Sequence, residues 1–363
     1  MSARDRVLAA LRAARRLTDR ADPLGRAARE RLVTTSGLSP EGVALALDEH
    51  LETEVSDTEL EALLDVDASS RCHLVLAANV CTAPLRAIAC ALASSATVFV
   101  RPSRRDPVVT ELLAHALDED AAFTGTVALV DRIEPATGDA VHVYGRDETI
   151  ATYRSQLPDG ARLHGHGTGL GVAVVESNAD LIDAAVAFAT DLVPFDGRGC
   201  LSPRVVLVAG DPRTPAARAR AFAIAAAEAL ARLGERVPRG PLQAPDAAAL
   251  RQYADTMTAI GEAFEGPHHL LGLDLDPHES GETLPVGPAL RCALVLPVLA
   301  GLLPEGLPPL ASSVTAIGSA GDGLLTEAIA ALAPRARRSP LGRMQRPPLD
   351  GPVDLRPFTT ATE

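Results

Sequence analysis

The chain has 363 residues, 47% of them apolar, enough to bury a full core and, at ~150 residues per domain, to form about two to three domains. Its 34 basic residues against 47 acidic ones leave a net charge of -13, which argues against a surface that neutralises nucleic-acid phosphates. Every basic residue is Arg, which excludes Schiff-base lysine chemistry, a pyridoxal-phosphate anchor and a P-loop Lys together, and with no Trp and 3% aromatic residues little remains for base stacking or a membrane belt.

From Arg4 to Leu64 the sequence reads as helices studded with Arg and Glu, broken at Asp22-Pro23, Ser36-Gly37 and Ser39-Pro40. Met1 to Leu32 holds nine Arg and four acids without an apolar core segment, so it is expected to be an exposed amphipathic helix rather than a signal or transit peptide. At Cys72 the pattern changes to short strands alternating with helices: strands at His73 to Ala78, Thr97 to Val100, Thr126 to Val130 and Val141 to Tyr144, with helices at Pro84 to Ala93, from Pro107 to Leu117 and from Thr149 to Gln156. That alternation predicts a parallel α/β sheet. A Gly-rich turn at Gly165 to Gly171 and a strand at Val172 to Glu176 follow, then a helix at Ala179 to Leu192, a strand at Val205 to Ala209 and an Ala-rich helix at Pro215 to Leu233. Residues 234 to 290 read as loops around one helix near Asp246 to Phe264, Leu290 to Leu299 and Ser313 to Gly318 as further strands, and Leu324 to Leu332 as a helix before an Arg- and Pro-rich tail. The apolar run Ala289 to Leu303 is too short to cross a bilayer, so no membrane span is expected.

The five Cys (72, 81, 90, 200 and 292) are odd in number and lack zinc-knuckle spacing, which fits reduced thiols in a cytoplasm and predicts no metal site. Cys200 stands in Pro194-Phe-Asp-Gly-Arg-Gly-Cys-Leu-Ser-Pro203, between a helix and a strand, where flanking glycines permit a tight turn that presents a sulfur to a cleft. The alternative is a small buried hydrophobe. Asn79 follows the first strand, where ligands of open parallel sheets gather; its amide can donate to an oxyanion or serve as a helix cap. The run Arg101-Pro-Ser-Arg-Arg-Asp-Pro107 ends the second strand with three Arg and Ser103, suited to a phosphate or to a solvated helix entry. His164 and His166 in the Gly-rich turn are candidate acid–base groups, of which turn geometry is expected to bring at most one to a site.

Together these segments resemble the aldehyde dehydrogenase superfamily, and within it the LuxC-like acyl-CoA reductases. Phe195-Asp-Gly-Arg-Gly-Cys-Leu-Ser-Pro203 is similar to that family's nucleophile segment, Ala78-Asn-Val-Cys-Thr-Ala-Pro84 to the segment with its oxyanion Asn, Val98-Phe-Val-Arg-Pro-Ser103 to its ribose-binding strand, and Leu341-Gly-Arg-Met-Gln-Arg-Pro-Pro-Leu-Asp350 to its C-terminal signature. This chain departs from the pattern at Ala78, usually Gly, and at Arg101, usually Lys. It also has His164 and His166 where the superfamily's acidic base is usual, and it is shorter after residue 240.

The resemblance implies an aldehyde-dehydrogenase-like α/β fold divided into a helical part of the cofactor domain (1–70), a Rossmann-type nucleotide-binding sheet (71–176), a catalytic domain around Cys200 (177–335) and a tail (336–363). It implies reduction of an acyl thioester to an aldehyde through an acyl-enzyme on Cys200, with Asn79 at the oxyanion and His164 or His166 as base. NADPH is the expected cofactor, held by Arg101, Ser103, Arg104, Tyr144 and Gly145. The expected acyl donor is acyl-CoA or an acyl-carrier thioester, with an acyl-transferase or synthetase as partner and a homo-oligomer as the assembly. Aldehyde oxidation, or a non-catalytic acyl-carrying protein of the same fold, are the competing readings.

Overall fold

A computed structural model describes residues 1–210, 214–276, 283–299 and 302–356; residues 357–363 of the expected tail lie outside them. The chain forms two compact units, Met1–Thr168 with the segment from Pro348 onward, and Gly169–Pro347.

The first unit opens with four helices, α1 (Ala3–Thr18), α2 (Pro23–Thr35), α3 (Pro40–Glu49) and α4 (Asp57–Leu64). Each starts on a side-chain cap from Ser2, Asp22, Ser39 or Ser56, and α2 and α3 carry Pro in the first turn, where its missing N–H costs nothing. Contrary to the exposed helix expected at the N-terminus, α1 buries Val7, Leu11, Ala14 and Leu17 and leaves its Arg residues on the outer side, where Arg12 and Arg16 pair with Asp120, Asp22 and Glu119. Its apolar stripe recurs at helical spacing, so it anchors rather than floats.

Next come β1 (Cys72–Val75), α5 (Ala83–Ser94), β2 (Thr97–Arg101), α6 (Val108–Asp118), β3 (Thr126–Leu129), β4 (Ala140–Tyr144), α7 (Asp147–Arg154) and β5 (Arg162–His166). The five strands are all parallel in the order β3-β2-β1-β4-β5. The order reverses between β1 and β4, so the crevice beyond their carboxyl ends is the topological switch point at which open α/β sheets bind ligands.

The second unit holds β6 (Leu170–Val175), α8 (Leu181–Leu192), a 3₁₀ turn (Pro194–Gly197), β7 (Pro203–Ala209), α9 (Pro215–Arg236), α10 (Ala244–Ile260), β8 (Gly261–Gly266), β9 (His269–Asp274) and β10 (Cys292–Val298). After these come α11 (Leu307–Leu310), β11 (Val314–Ala320), α12 (Leu324–Leu332) and β12 (Arg337–Pro340). Its sheet runs β12-β11-β6-β7-β10-β9-β8, parallel except for the edge hairpin β8–β9. Strands β6, β9 and β10 are buried at every position, as expected where both faces of a sheet are covered. The chain passes between units within three residues, Gly167 to Gly169, with no change of composition. The sequence grouping that carries the first sheet to residue 176 therefore includes β6, which is a central strand of the second. Likewise β12, expected in the tail, is an edge strand of the second sheet.

Candidate active site

In the second unit Cys200 sits in the turn after α8, half-buried, while Cys72, Cys81 and Cys292 are buried. Burial pushes the thiols of Cys72 and Cys292 up to about 12, so neither supplies a thiolate near neutrality. Cys90, also half-buried, lies inside α5. Because α8 ends at Leu192, Cys200 lies beyond its C-terminal end, where the helix dipole does not favour a thiolate.

The backbone leading to Cys200 is unusual. Phe195 (φ 53°), Asp196 (φ 53°) and Gly197 (φ 67°) are successively left-handed, and so are Leu290 (φ 81°) and Arg291 (φ 59°) before β10. A non-glycine residue in this region costs about 1–3 kcal/mol and persists only where its surroundings over-determine it. Here the two left-handed segments fix each other: Arg291 donates its backbone N–H to the Asp196 carbonyl at 3.0 Å, and its guanidinium to the Asp196 carboxylate at 2.7 and 2.9 Å. Both side chains are only 1% exposed. Gly240 donates its N–H to the same carboxylate at 3.1 Å, and Arg198 lies 3.6 Å from it.

After Cys200 the turn closes with Ser202 N–H on the Gly199 carbonyl at 3.1 Å and rests on the start of β6, where Gly171 N–H donates to Ser202 at 2.9 Å. Both sides of that start are irregular. On β11, Val314 pairs with Leu170 and Ala316 with Gly171, leaving Thr315 as an extra residue; on β7, Pro203 pairs with Gly171 and Val205 with Val172, leaving Arg204. Such bulges bend a strand and re-aim a side chain. Thr315 donates its hydroxyl to the Cys200 carbonyl, and half-buried Arg204 donates to the Gly287 carbonyl. The C-terminal signature also belongs to this turn. Met344 N–H (2.9 Å) and Gly342 N–H donate to the Asp191 carboxylate at the end of α8, and Gln345 donates its amide to the Asp191 carbonyl (2.9 Å) and to the Ser202 hydroxyl (3.3 Å). Burial nevertheless raises the Asp191 carboxyl to about 7.

In the first unit the loop ends of the sheet present the other candidates. Asn79 is exposed in the segment between β1 and α5; the N-cap of α5 is Thr82, so Asn79 is not its cap. Arg101 at the end of β2 is committed, donating to the Tyr153 hydroxyl at 2.6 Å and the Asp131 carbonyl at 3.2 Å. Beyond it Ser103 is half-buried and accepts the Arg105 N–H at 3.3 Å, Arg105 donates to the Ala78 carbonyl at 2.8 Å, and Arg104 is exposed. Asp106, the carboxylate of this loop, is buried and accepts the Thr35 hydroxyl at 2.8 Å. Tyr144 ends β4, and Gly145 donates its N–H to the His166 carbonyl at 3.1 Å.

His164 and His166 depart from the expected turn: both lie on β5, where alternate residues share a face. They join His142 and Tyr144 of β4 in a ring stack, with centroids 4.4 Å apart for His142–His164, 5.5 Å for His142–His166 and 4.1 Å for Tyr144–His166. The registers His142↔His164 and Tyr144↔His166 produce this ladder. His142 Nδ1 is 3.2 Å from His166 Nε2. Burial lowers His164 and His166 to about 4 and His142 well below its usual range, an environment for neutral rings rather than for a base that takes a proton near pH 7. Sequence reasoning gave no role to His142, Asp196, Arg291, Thr315 or Gln345, although Asp196 and Gln345 lie inside the nucleophile segment and the C-terminal signature, and His142 alternates with Tyr144 along a strand.

Among the described residues no group of three or more His, Cys, Asp or Glu is placed to hold a metal, and no helix is long and apolar enough to cross a membrane. A family model described as acyl-CoA reductase (LuxC) matches residues 67–268, which include Asn79, both histidines of β5 and the Cys200 turn. No curated protein sequence matches the chain. Among solved structures, a NAD-dependent benzaldehyde dehydrogenase from Corynebacterium glutamicum is similar at 16% identity and a TM-score of 0.68, over 94% of this chain and 80% of that one. An oxidoreductase from Marinobacter aquaeolei matches at 13% identity and 0.65, over 99% and 86%, and an E. coli NADP dependent enzyme at 14% and 0.64, over 94% and 78%. At these identities the likeness shows the fold, that of aldehyde dehydrogenases.

Proposed function

Because the chain belongs to the acyl-CoA reductase (LuxC) family, an oxidoreductase family of aldehyde and acyl chemistry, we propose that it reduces an acyl thioester to an aldehyde with Cys200 as nucleophile and NADPH as reductant. The observation that carries this reading is the Cys200 turn: a half-buried thiol after a strained, over-determined backbone segment, in a turn that packs on the irregular start of β6.

The Cys200 thiolate attacks the carbonyl carbon of the thioester, forming a carbon–sulfur bond and an oxyanion. We assign the exposed Asn79 amide as an N–H donor to that oxyanion, the interaction expected to strengthen as charge develops. Collapse expels the carrier thiolate, which takes a proton from solvent, and leaves the acyl group on Cys200. When bound, the reduced nicotinamide supplies the hydride that takes this thioester to the aldehyde level. Cys200 then departs as thiolate and the aldehyde is released.

The first unit fits such a cofactor on its donor chemistry. The sheet reverses order between β1 and β4, and the loop after β2 offers the Ser103 hydroxyl and exposed Arg104 while its own carboxylate, Asp106, is buried and occupied. Ser103 and Arg104 would hold the adenosine ribose and its 2′-phosphate, and Tyr144 and Gly145 border the switch point. Arg101, tied to Tyr153, shapes the loop. The test is to incubate the protein with a labelled acyl-CoA and map the adduct by peptide mass. An acyl group on Cys200 that Cys200→Ala abolishes is the expected result; label on another Cys, or undiminished turnover by Cys200→Ala, refutes the reading.

A further inference from the structure

We propose that Thr315 is the positioning residue for Cys200, fixing the peptide plane that follows the nucleophile and with it the direction in which the sulfur is presented. This rests on the assignment of Cys200 as nucleophile, and it adds a residue 115 positions away that no sequence motif connects to it.

Three observations converge on Thr315. It is the extra residue of the β11 bulge, so its side chain leaves the alternation of the strand and is aimed by the local bend. It is 1% exposed, and its hydroxyl has two acceptors, the Cys200 carbonyl and the Leu170 carbonyl at 3.2 Å, so its one proton is shared between the nucleophile turn and the first residue of β6. The same spot is closed sterically: a Cβ on Gly169 would lie 2.5 Å from the Thr315 methyl and 3.2 Å from the Cys200 Cβ, so glycine there lets all three segments meet.

A hydroxyl that holds the carbonyl of the nucleophile acts through geometry, not through the reacting atoms. With the carbonyl held, rotation of the peptide that follows Cys200 is restrained, which narrows the directions from which the sulfur meets the incoming carbonyl carbon. Without it the Cys200 carbonyl loses this buried donor and the restraint on the turn loosens, displacing the sulfur. Misplacement of a reacting group by about 1 Å costs on the order of 100-fold in rate.

Thr315→Val keeps shape and volume and removes only the donor; Thr315→Ser keeps the donor and removes only the methyl. Single-turnover acylation by acyl-CoA should slow about 10- to 100-fold in Thr315→Val, with acyl-CoA affinity within about twofold of wild type, and return to within about threefold in Thr315→Ser. Alkylation of Cys200 by iodoacetamide across pH, read by peptide mass, should show the same order. A Thr315→Val protein that acylates and alkylates at wild-type rates overturns the proposal, as does a Thr315→Ser protein as slow as Thr315→Val. If Thr315→Val does not fold, Thr315→Ala replaces it under the same criteria. A wild type whose Cys200 never acquires an acyl group refutes the proposed function instead, and the alkylation order alone then decides the role of Thr315.

Discussion

At the carboxyl ends of β1 and β2 in the first unit, Asn79 and Arg104 are exposed, Ser103 is half-buried, and the loop carboxylate is tucked away on Thr35. The Cys200 turn of the second unit is the reverse, gripped by the Asp196–Arg291 pair, by Thr315, by Gly171 and by Gln345. The contrast follows from what each must do. A ligand-binding edge needs donors that are not already spent on the protein, whereas a nucleophile needs a fixed origin for its attack. Buried ionisable groups divide the same way: the first unit stacks neutral imidazoles, and the second closes its strained turn with a buried ion pair.

Breaking the second unit's grip should give the largest effect. In Asp196→Ala the guanidinium of Arg291, 1% exposed, keeps its burial and loses its counter-charge, and removing one partner of such a pair costs about 3–5 kcal/mol. The left-handed backbone at Phe195 and Asp196 loses its lock as well. Urea denaturation should report a loss in this range, with Asp196→Asn retaining part of it through the amide oxygen. A loss under about 1 kcal/mol would mean that the pair does not hold the turn.

An intermediate effect should separate the units by pH. Histidine in an unfolded chain titrates near 6.5, whereas folded His164 and His166 are held at about 4, so their contribution is complete above pH 6.5 and is lost as pH falls from 6.5 towards 4. Asp191 works the other way: with its carboxyl raised from 3.8 to about 7, its contribution is present below pH 3.8 and is lost as pH rises through 7. Acidification from pH 7 to 4.5 should therefore speed hydrogen exchange at β4 and β5 more than at α8 and β7. His166→Phe, which keeps a ring against Tyr144 and removes a titrating group, should flatten the acid side of the melting profile by about 3 °C or more. Equal acid sensitivity of the two units, with no change in His166→Phe, would remove this half of the contrast.

Alternation of short strands with helices made the first sheet legible: β1, α5, β2, α6, β3 and β4 fall within about three residues of the spans read from sequence. The passage between units was not legible, because β5 and β6 are separated by three residues whose glycines read equally well as a turn within one sheet. That error also misplaced His164 and His166, since a strand aligns alternate side chains where a turn scatters them. Strands β8 and β9 were hidden for another reason: Ala263 and Phe264 continue the apolar pattern of α10, and β9 is buried on both faces and shows no alternation. For the candidate site, Cys200 and Asn79 were visible through motifs, and Asp196 and Gln345 lay inside the quoted blocks, but the pairings that hold the Cys200 turn were not visible. Arg291 lies 95 positions from Asp196 and Gln345 143 from Ser202, and only folding brings them together.

The smallest expected effect concerns the exposed edge itself, and it asks whether uncommitted donors there choose the ligand. Arg104 is exposed, Asp106 is buried, and the loop presents positive charge without an exposed carboxylate of its own. A carboxylate at position 104 would accept from ribose hydroxyls and repel a 2′-phosphate; an Arg meets that phosphate with charge-assisted hydrogen bonds worth about 1.5–3 kcal/mol each. Solvent screening of an exposed side chain removes part of this, which leaves a preference for NADPH over NADH of about tenfold in kcat/KM, equivalent to ~1.4 kcal/mol. Arg104→Glu should lower or invert that ratio, and because Arg104 is exposed, the melting temperature should stay within about 1 °C. Arg105→Glu, which removes the bond to the Ala78 carbonyl, should move stability more than cofactor choice. Equal use of the two cofactors by the wild type, or an unchanged ratio in Arg104→Glu, would show that the exposed Arg is a solvated helix entry and that selection lies elsewhere on the edge.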